Sequence, residues 1–106
     1  MKILLDECVD QKLRHLFADH DCQAAAYAKL AGLKNGVLLD AAEIAGFEIL
    51  ITTDREIPYQ QNLGGRRISI LILFAPTNRL ADLKNLVPAA LLSLNSIKPG
   101  DVIRII

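Results

Sequence analysis

Two pairs of acidic residues follow apolar segments of the chain, and these four side chains are the best suited to chemistry. Asp6 and Glu7 come directly after the first apolar segment, and Asp54 and Glu56 come after the third. Carboxylates that converge on one point repel one another, and a divalent cation relieves that repulsion. We therefore predict a catalytic acidic site in which Asp6 and Asp54 bind Mg²⁺ or Mn²⁺ and Glu7 or Glu56 positions water. Such a cation can activate water for phosphodiester cleavage.

The apolar segments that precede these acids have the length and composition of buried β-strands. We predict strands over residues 2–5, 22–27, 48–53, 68–74 and 102–106. Amphipathic helices are predicted over residues 9–18, 37–45 and 79–94, with a kink or restart at Pro88. Residues 58–65 are predicted to form a turn, a short helix and a second turn. The alternation predicts one α/β domain over residues 1–106: a three-layer α/β/α sandwich around a mostly parallel five-stranded sheet.

The carboxyl edge of such a sheet is where ligands bind in open α/β folds. Asp6 and Asp54 both lie at this edge, and they approach each other if the first and third strands are neighbours. A structural role is the alternative, because an Asp between a strand and a helix is also a common helix N-cap.

Three details of the helices follow from the apolar pattern. Asn35 is predicted to cap the second helix, and Gly46 is predicted to end it. In the first helix the buried face is predicted to include Leu16, and in the last helix it is predicted to include Leu92.

Polar side chains between the third and fourth strands predict a substrate-binding loop, with a solvated connection as an equal alternative. Amide and guanidinium groups of this kind donate hydrogen bonds to phosphates and bases. The predicted substrate-binding residues are Asn35, Arg55, Gln60, Gln61, Arg66 and Arg67. Asp40, Glu43 and Lys34 are interpreted as exposed polar residues.

Composition limits the function classes. The chain has 12 basic and 12 acidic residues and only 5% aromatics, which argues against strong electrostatic binding of nucleic acids and against base-stacking platforms. Cys8 and Cys22 are too few for a disulfide framework or a zinc cluster, and both are predicted to be buried, reduced thiols. The sequence has neither a signal-peptide pattern nor an apolar run long enough to span a membrane, so a cytoplasmic location is predicted.

Several segments, in this order and spacing, resemble small PIN-like domains, relatives of the VapC-like toxin ribonucleases of prokaryotic toxin–antitoxin operons. The matching segments are residues 2–7, 31–36, 49–54, 58–63 and 65–67. The resemblance implies a PIN-like fold and an Mg²⁺- or Mn²⁺-dependent endoribonuclease that acts on RNA, with Asp6 and Asp54 as the matching acids. It also implies an antitoxin protein partner and a homodimer.

Two other functions remain open. In PIN nucleases the position before the second helix is often acidic, whereas here it is Asn35, so a non-catalytic PIN-like module that binds a protein partner is the first alternative. The second is a receiver-like phosphoacceptor domain, which also has an acidic pair after strand one and an Asp after strand three. Receivers carry a Lys after the fifth strand, and here Lys98 comes before it.

Overall fold

The computed structural model describes residues 1–57 and 63–106, and over these residues five strands form one parallel sheet. The spatial order is β2-β1-β3-β4-β5. This arrangement confirms the predicted parallel sheet and makes the first and third strands neighbours. The strands are β1 (Lys2–Leu5), β2 (Asp21–Ala24), β3 (Ile49–Thr52), β4 (Ser69–Leu73) and β5 (Val102–Ile105).

The central strands are buried on both faces, which explains their nearly continuous apolar sequences. Every residue of β3 and of β4 is buried. Alternate residues of each strand point to opposite faces, so Leu50 and Ile51 belong to two different apolar cores. The outer strands β2 and β5 have partly exposed residues, in keeping with their places at the two edges.

Helices cover both faces of the sheet, which confirms the three-layer α/β/α architecture. On one face lie a 3₁₀ helix (Gln11–Phe17) and a C-terminal helical region. That region consists of an α-helix (Leu80–Leu83), a 3₁₀ turn (Lys84–Leu86) and a second α-helix (Val87–Ser93). On the other face, helix α1 (Asn35–Ile44) packs through Leu38, Leu39 and Ala42.

Two predicted apolar faces differ from the observed ones. The first helix is a 3₁₀ helix that buries Leu13 and Phe17, whereas Leu16 is 43% exposed on its outer side. After the Pro88 restart, which is confirmed, Val87, Ala90 and Leu94 face the sheet. Leu92 lies outside that spacing and is 72% exposed, so its predicted burial is wrong.

The ends of α1 show one correct and one wrong prediction. Lys34 occupies the N-terminal capping position and Asn35 is the first helical residue, so the predicted Asn35 cap is wrong. At the other end Gly46 adopts a φ of 87°. Its N–H donates to Glu43 O, and the Phe47 N–H donates to Ala42 O. These two bonds form a Schellman motif, which confirms that Gly46 ends the helix. The predicted turn and short helix at residues 58–62 lie outside the described residues.

Candidate active site at the carboxyl edge of strands β1 and β3

The first strand and the third strand are joined up to the point where their acidic residues begin. The Asp6 N–H donates to Ile51 O at 2.9 Å, which continues the pairing between β1 and β3. In the sheet, β2 lies on one side of β1, and β3, the next strand along the chain, lies on the other side of β1. This is the topological switch point, where parallel α/β sheets form their ligand-binding crevice.

Thr52, the last residue of β3, links the two predicted metal-binding carboxylates. Its hydroxyl donates to Asp6 Oδ2 at 2.8 Å and accepts the Asp54 N–H at 3.0 Å. Thr52 is fully buried, so water does not compete for these hydrogen bonds. A single buried hydroxyl therefore orients the side chain of Asp6 and the backbone that carries Asp54.

Each of the two aspartates also accepts a hydrogen bond from the backbone that follows it. Asp6 Oδ1 accepts the Glu7 N–H, and Asp54 Oδ1 accepts the Glu56 N–H, both at 2.9 Å. A carboxylate has about four acceptor positions, so these bonds leave room for a ligand. Asp6 does not cap the first helix, because that helix starts at Gln11 and its capping residue is Asp10. The helix-capping alternative is therefore wrong for Asp6.

Asp6 and Asp54 line one cleft of about 710 Å³, as predicted from their positions after neighbouring strands. Its wall also includes aliphatic side chains and part of the loop that precedes α1. The other described lining residues are Glu7, Cys8, Gly32, Leu33, Lys34, Leu38 and Ile57. The cleft therefore combines carboxylates, one ammonium group and an apolar surface.

The Glu7 carboxylate holds the loop before α1 against the end of β1. Its Oε1 accepts the Gly32 N–H at 2.8 Å. Gly32 has a φ of 86°, a conformation that glycine adopts without the steric cost of a side chain. Glu7 thus shapes the cleft by fixing the loop on which Lys34 lies.

The two cysteines lie in different surroundings. Cys8 is exposed in the cleft, where its Sγ accepts the Thr53 hydroxyl at 3.2 Å, so its predicted burial is wrong. Cys22 is only partly exposed. Burial, reinforced by the neighbouring Asp21 and partly offset by Arg14, raises the pKa of the Cys22 thiol to about 12.

Arg55 and Glu56 follow Asp54 but are placed differently from it. The Arg55 guanidinium lies 4.3 Å from the centre of the Phe74 ring and donates to Ala75 O at 3.4 Å. It is therefore held at the carboxyl end of β4. Glu56 is exposed, and its N–H supports Asp54.

The structure does not bring Arg66 and Arg67 to the cleft, because both precede β4 and lie at the opposite, amino edge of the sheet. Arg66 Nη1 donates to Asp40 Oδ1 at 2.8 Å and to Glu43 Oε1 at 3.0 Å. These two carboxylates raise the pKa of Arg66 above its ordinary value. Arg67 is 3.8 Å from Glu43. Both arginines thus face α1, and Glu43 is largely buried beneath them.

The remaining predicted substrate-binding residues have simple outcomes. Asn35 is the first residue of α1 and directly follows a cleft residue. Gln60 and Gln61 lie outside the described residues. Lys98 precedes β5, at the edge opposite Asp54, which weighs against a receiver-like domain.

Thr52 and Lys34 lie near the two acids but were not predicted as site residues. Thr52 is a polar residue that ends an otherwise aliphatic, fully buried strand, and that contrast was a usable signal. Lys34 offered no such signal, because its place beside the acids depends on how the loop before α1 folds back onto Glu7.

No protein-family profile, curated protein or solved structure matches this chain. The described helices include none with the length and hydropathy needed to cross a bilayer. Within residues 1–57 and 63–106, no cluster of three or more His, Cys, Asp or Glu side chains is arranged to hold a metal ion.

Proposed function

We propose that this protein is a ribonuclease of the PIN-like type that binds one Mg²⁺ or Mn²⁺ ion between Asp6 and Asp54. The observation that carries the proposal is that Asp6 and Asp54 line the same cleft at the switch point between β1 and β3. The ordered resemblance of the sequence to PIN-like domains supplies the reaction class.

The donor set suits a hard divalent cation. Mg²⁺ is commonly held by one or two carboxylates and completes its octahedron with water and substrate phosphate oxygens. Asp6 and Asp54 provide two carboxylates, and a cleft of about 710 Å³ has room for water and a phosphate group. When bound, the cation would lower the pKa of a coordinated water and offset negative charge on the phosphate.

Neighbouring side-chain and backbone groups orient the two acids. The Thr52 hydroxyl directs Asp6, and the Glu56 N–H directs Asp54. Through its bond to Gly32, Glu7 fixes the loop that borders the cleft. The aliphatic wall formed by Leu33, Leu38 and Ile57 lowers the local dielectric, which strengthens the attraction between the carboxylates and a cation.

A PIN-like module without catalytic activity is the second candidate, and the small number of acids favours it. The described lining of the cleft includes three carboxylates, those of Asp6, Glu7 and Asp54, and that of Glu7 is already hydrogen-bonded to Gly32. In that case the protein would bind an antitoxin-like protein or a second copy of itself. Both partners are also part of the ribonuclease proposal, since toxins of this type pair with antitoxins and often form dimers.

Calorimetric titration with Mn²⁺ at near-neutral pH separates the two candidates. The proteins compared are the wild type, Asp6→Asn, Asp54→Asn and the double variant, each shown to be folded by circular dichroism. Asp10→Asn is the matched control, because Asp10 is an aspartate near the carboxyl end of β1 whose side chain caps the 3₁₀ helix.

The ribonuclease proposal expects one saturable site that is lost in the Asp6 and Asp54 variants and retained in Asp10→Asn. RNA cleavage that requires Mn²⁺ or Mg²⁺ and both aspartates completes the test. A folded wild-type protein that does not bind Mn²⁺ would refute the metal site and favour the interaction module.

A further inference from the structure

The charges of the cleft do not by themselves favour a polyanionic substrate. Asp6, Glu7 and Asp54 contribute three carboxylates, and Lys34 is the only cation among the described lining residues. A phosphodiester that enters this cleft meets net negative charge. A bound divalent cation would offset part of that negative charge, and the positive charge of Lys34 would offset a further part.

The backbone of Lys34 is held at the cleft from two sides. Two residues earlier in the chain, the Gly32 N–H donates to Glu7 at the end of β1. On the other side, Lys34 is the N-terminal capping residue of α1, and its carbonyl accepts the Leu38 N–H at 3.3 Å. The side chain of Lys34 is exposed. Lys34 therefore combines a held backbone with an exposed side chain, and it lines the same cleft as Asp6 and Asp54.

Arg55, which the sequence suggested as the phosphate-binding cation, is engaged elsewhere. Its guanidinium lies over Phe74 and donates to Ala75 O, and it is not among the described residues that line the cleft. We propose that Lys34 binds a phosphate group of the substrate next to the cation site of Asp6 and Asp54. This inference rests on the proposed function for the nature of the substrate.

The test measures oligonucleotide affinity and metal affinity separately. The probe is a fluorescein-labelled, single-stranded oligonucleotide with 2′-O-methylated riboses, and its anisotropy is followed over a range of salt concentrations with saturating Mn²⁺. The variants are Lys34→Gln, which removes the charge, and Lys34→Arg, which keeps it. Lys84→Gln is the matched control, because Lys84 is an exposed lysine in the C-terminal helical region. Mn²⁺ affinity is measured calorimetrically for each protein.

Lys34→Gln is expected to weaken oligonucleotide binding about tenfold and to reduce the salt slope by about 0.7, the contribution of one phosphate contact on a single strand. Its Mn²⁺ affinity is expected to be unchanged or up to about threefold higher, because a neighbouring positive charge has been removed. Lys34→Arg should retain the wild-type salt slope. A loss of oligonucleotide affinity without a loss of Mn²⁺ affinity is not expected from a merely structural role.

Two results separate this inference from the proposed function. If the wild type binds Mn²⁺ but Lys34→Gln and Lys84→Gln affect oligonucleotide binding equally, the role of Lys34 is refuted and the metal site stands. If the wild type does not bind Mn²⁺, while Lys34→Gln alone lowers the salt slope, the metal site is refuted and the role of Lys34 is supported.

Discussion

Replacing Thr52 by Val removes the one hydroxyl that links the two acids while keeping nearly the same side-chain shape. The variant loses a hydrogen bond to the Asp6 carboxylate, worth about 2 kcal/mol, and leaves the Asp54 N–H without this acceptor, which costs about 1 kcal/mol. The extra buried methyl group returns about 1 kcal/mol. We expect a net loss of about 2 kcal/mol in the free energy of unfolding.

The same substitution should weaken metal binding without removing a ligand. Partners that orient a ligand typically contribute about tenfold or more in metal affinity, so the Kd for Mn²⁺ should rise about tenfold in Thr52→Val. Unfolding is followed in guanidinium chloride by far-ultraviolet circular dichroism, because the chain has no tryptophan. Mn²⁺ affinity is measured by calorimetry.

Two neighbouring variants make the result specific to the hydroxyl of Thr52. Thr52→Ser keeps both hydrogen bonds and should retain the wild-type metal affinity. Thr53→Val removes a hydroxyl that bonds only to the exposed Cys8 Sγ, and it should change stability by less than about 0.5 kcal/mol. If Thr52→Val keeps the stability and the metal affinity of the wild type, the argument from the hydroxyl is wrong.

Four further predictions concern other parts of the molecule. Because its pKa is about 12, Cys22 should carry ~1000-fold less thiolate than an ordinary thiol near neutral pH. Iodoacetamide should therefore modify the exposed Cys8 first, which mass spectrometry would detect. The unfolded state loses the Cys22 proton first, so the free energy of unfolding should fall as pH rises from about 9 towards 12, and Cys22→Ser should abolish this loss. Arg66→Met should lower the free energy of unfolding by about 1 kcal/mol, and by less in high salt, because it removes the ion pairs with α1. Arg67→Met is the control: this side chain is 81% exposed, so the same denaturation assay should show little effect. Gly46→Ala should lower the free energy of unfolding by about 1 kcal/mol, because the backbone φ of Gly46 is 87°. The added Cβ would not clash, since its nearest neighbour is Lys2 Nζ at 3.8 Å. An unchanged midpoint of thermal unfolding would contradict this prediction.

The secondary structure could be predicted largely from local sequence. The strands before Asp6 and Asp54 are short aliphatic segments, and β-branched residues such as Ile49 and Ile51 favour extended backbone whatever surrounds them. Gly46 and Pro88 act through their own backbone constraints, so the helix end and the helix restart were also correct. Alternation of the two element types then implied a parallel sheet with a helical layer on each face.

Predictions failed where the outcome depended on competition between neighbouring side chains. Leu16 and Leu92 have the apolar character of core residues, but only some positions of a short helix face the sheet. Other apolar residues of the same helices occupy those positions. Cys8 was also predicted to be buried, and it is instead exposed in the cleft. Helix α1 begins at Asn35 itself, so Lys34 rather than Asn35 lies at the capping position.

The sequence by itself determined that Asp6 and Asp54 follow strands, because strand ends are set by local apolar runs. Only the tertiary structure decided that β1 and β3 are neighbours, since strand order depends on how the whole chain packs. The tertiary structure also determines that Arg66 pairs with the acidic residues of α1 at the opposite edge of the sheet and that Lys34 lines the cleft. Such long-range placement follows from the crossing direction of each connection and from charge pairing across elements, neither of which is written in a local stretch of sequence.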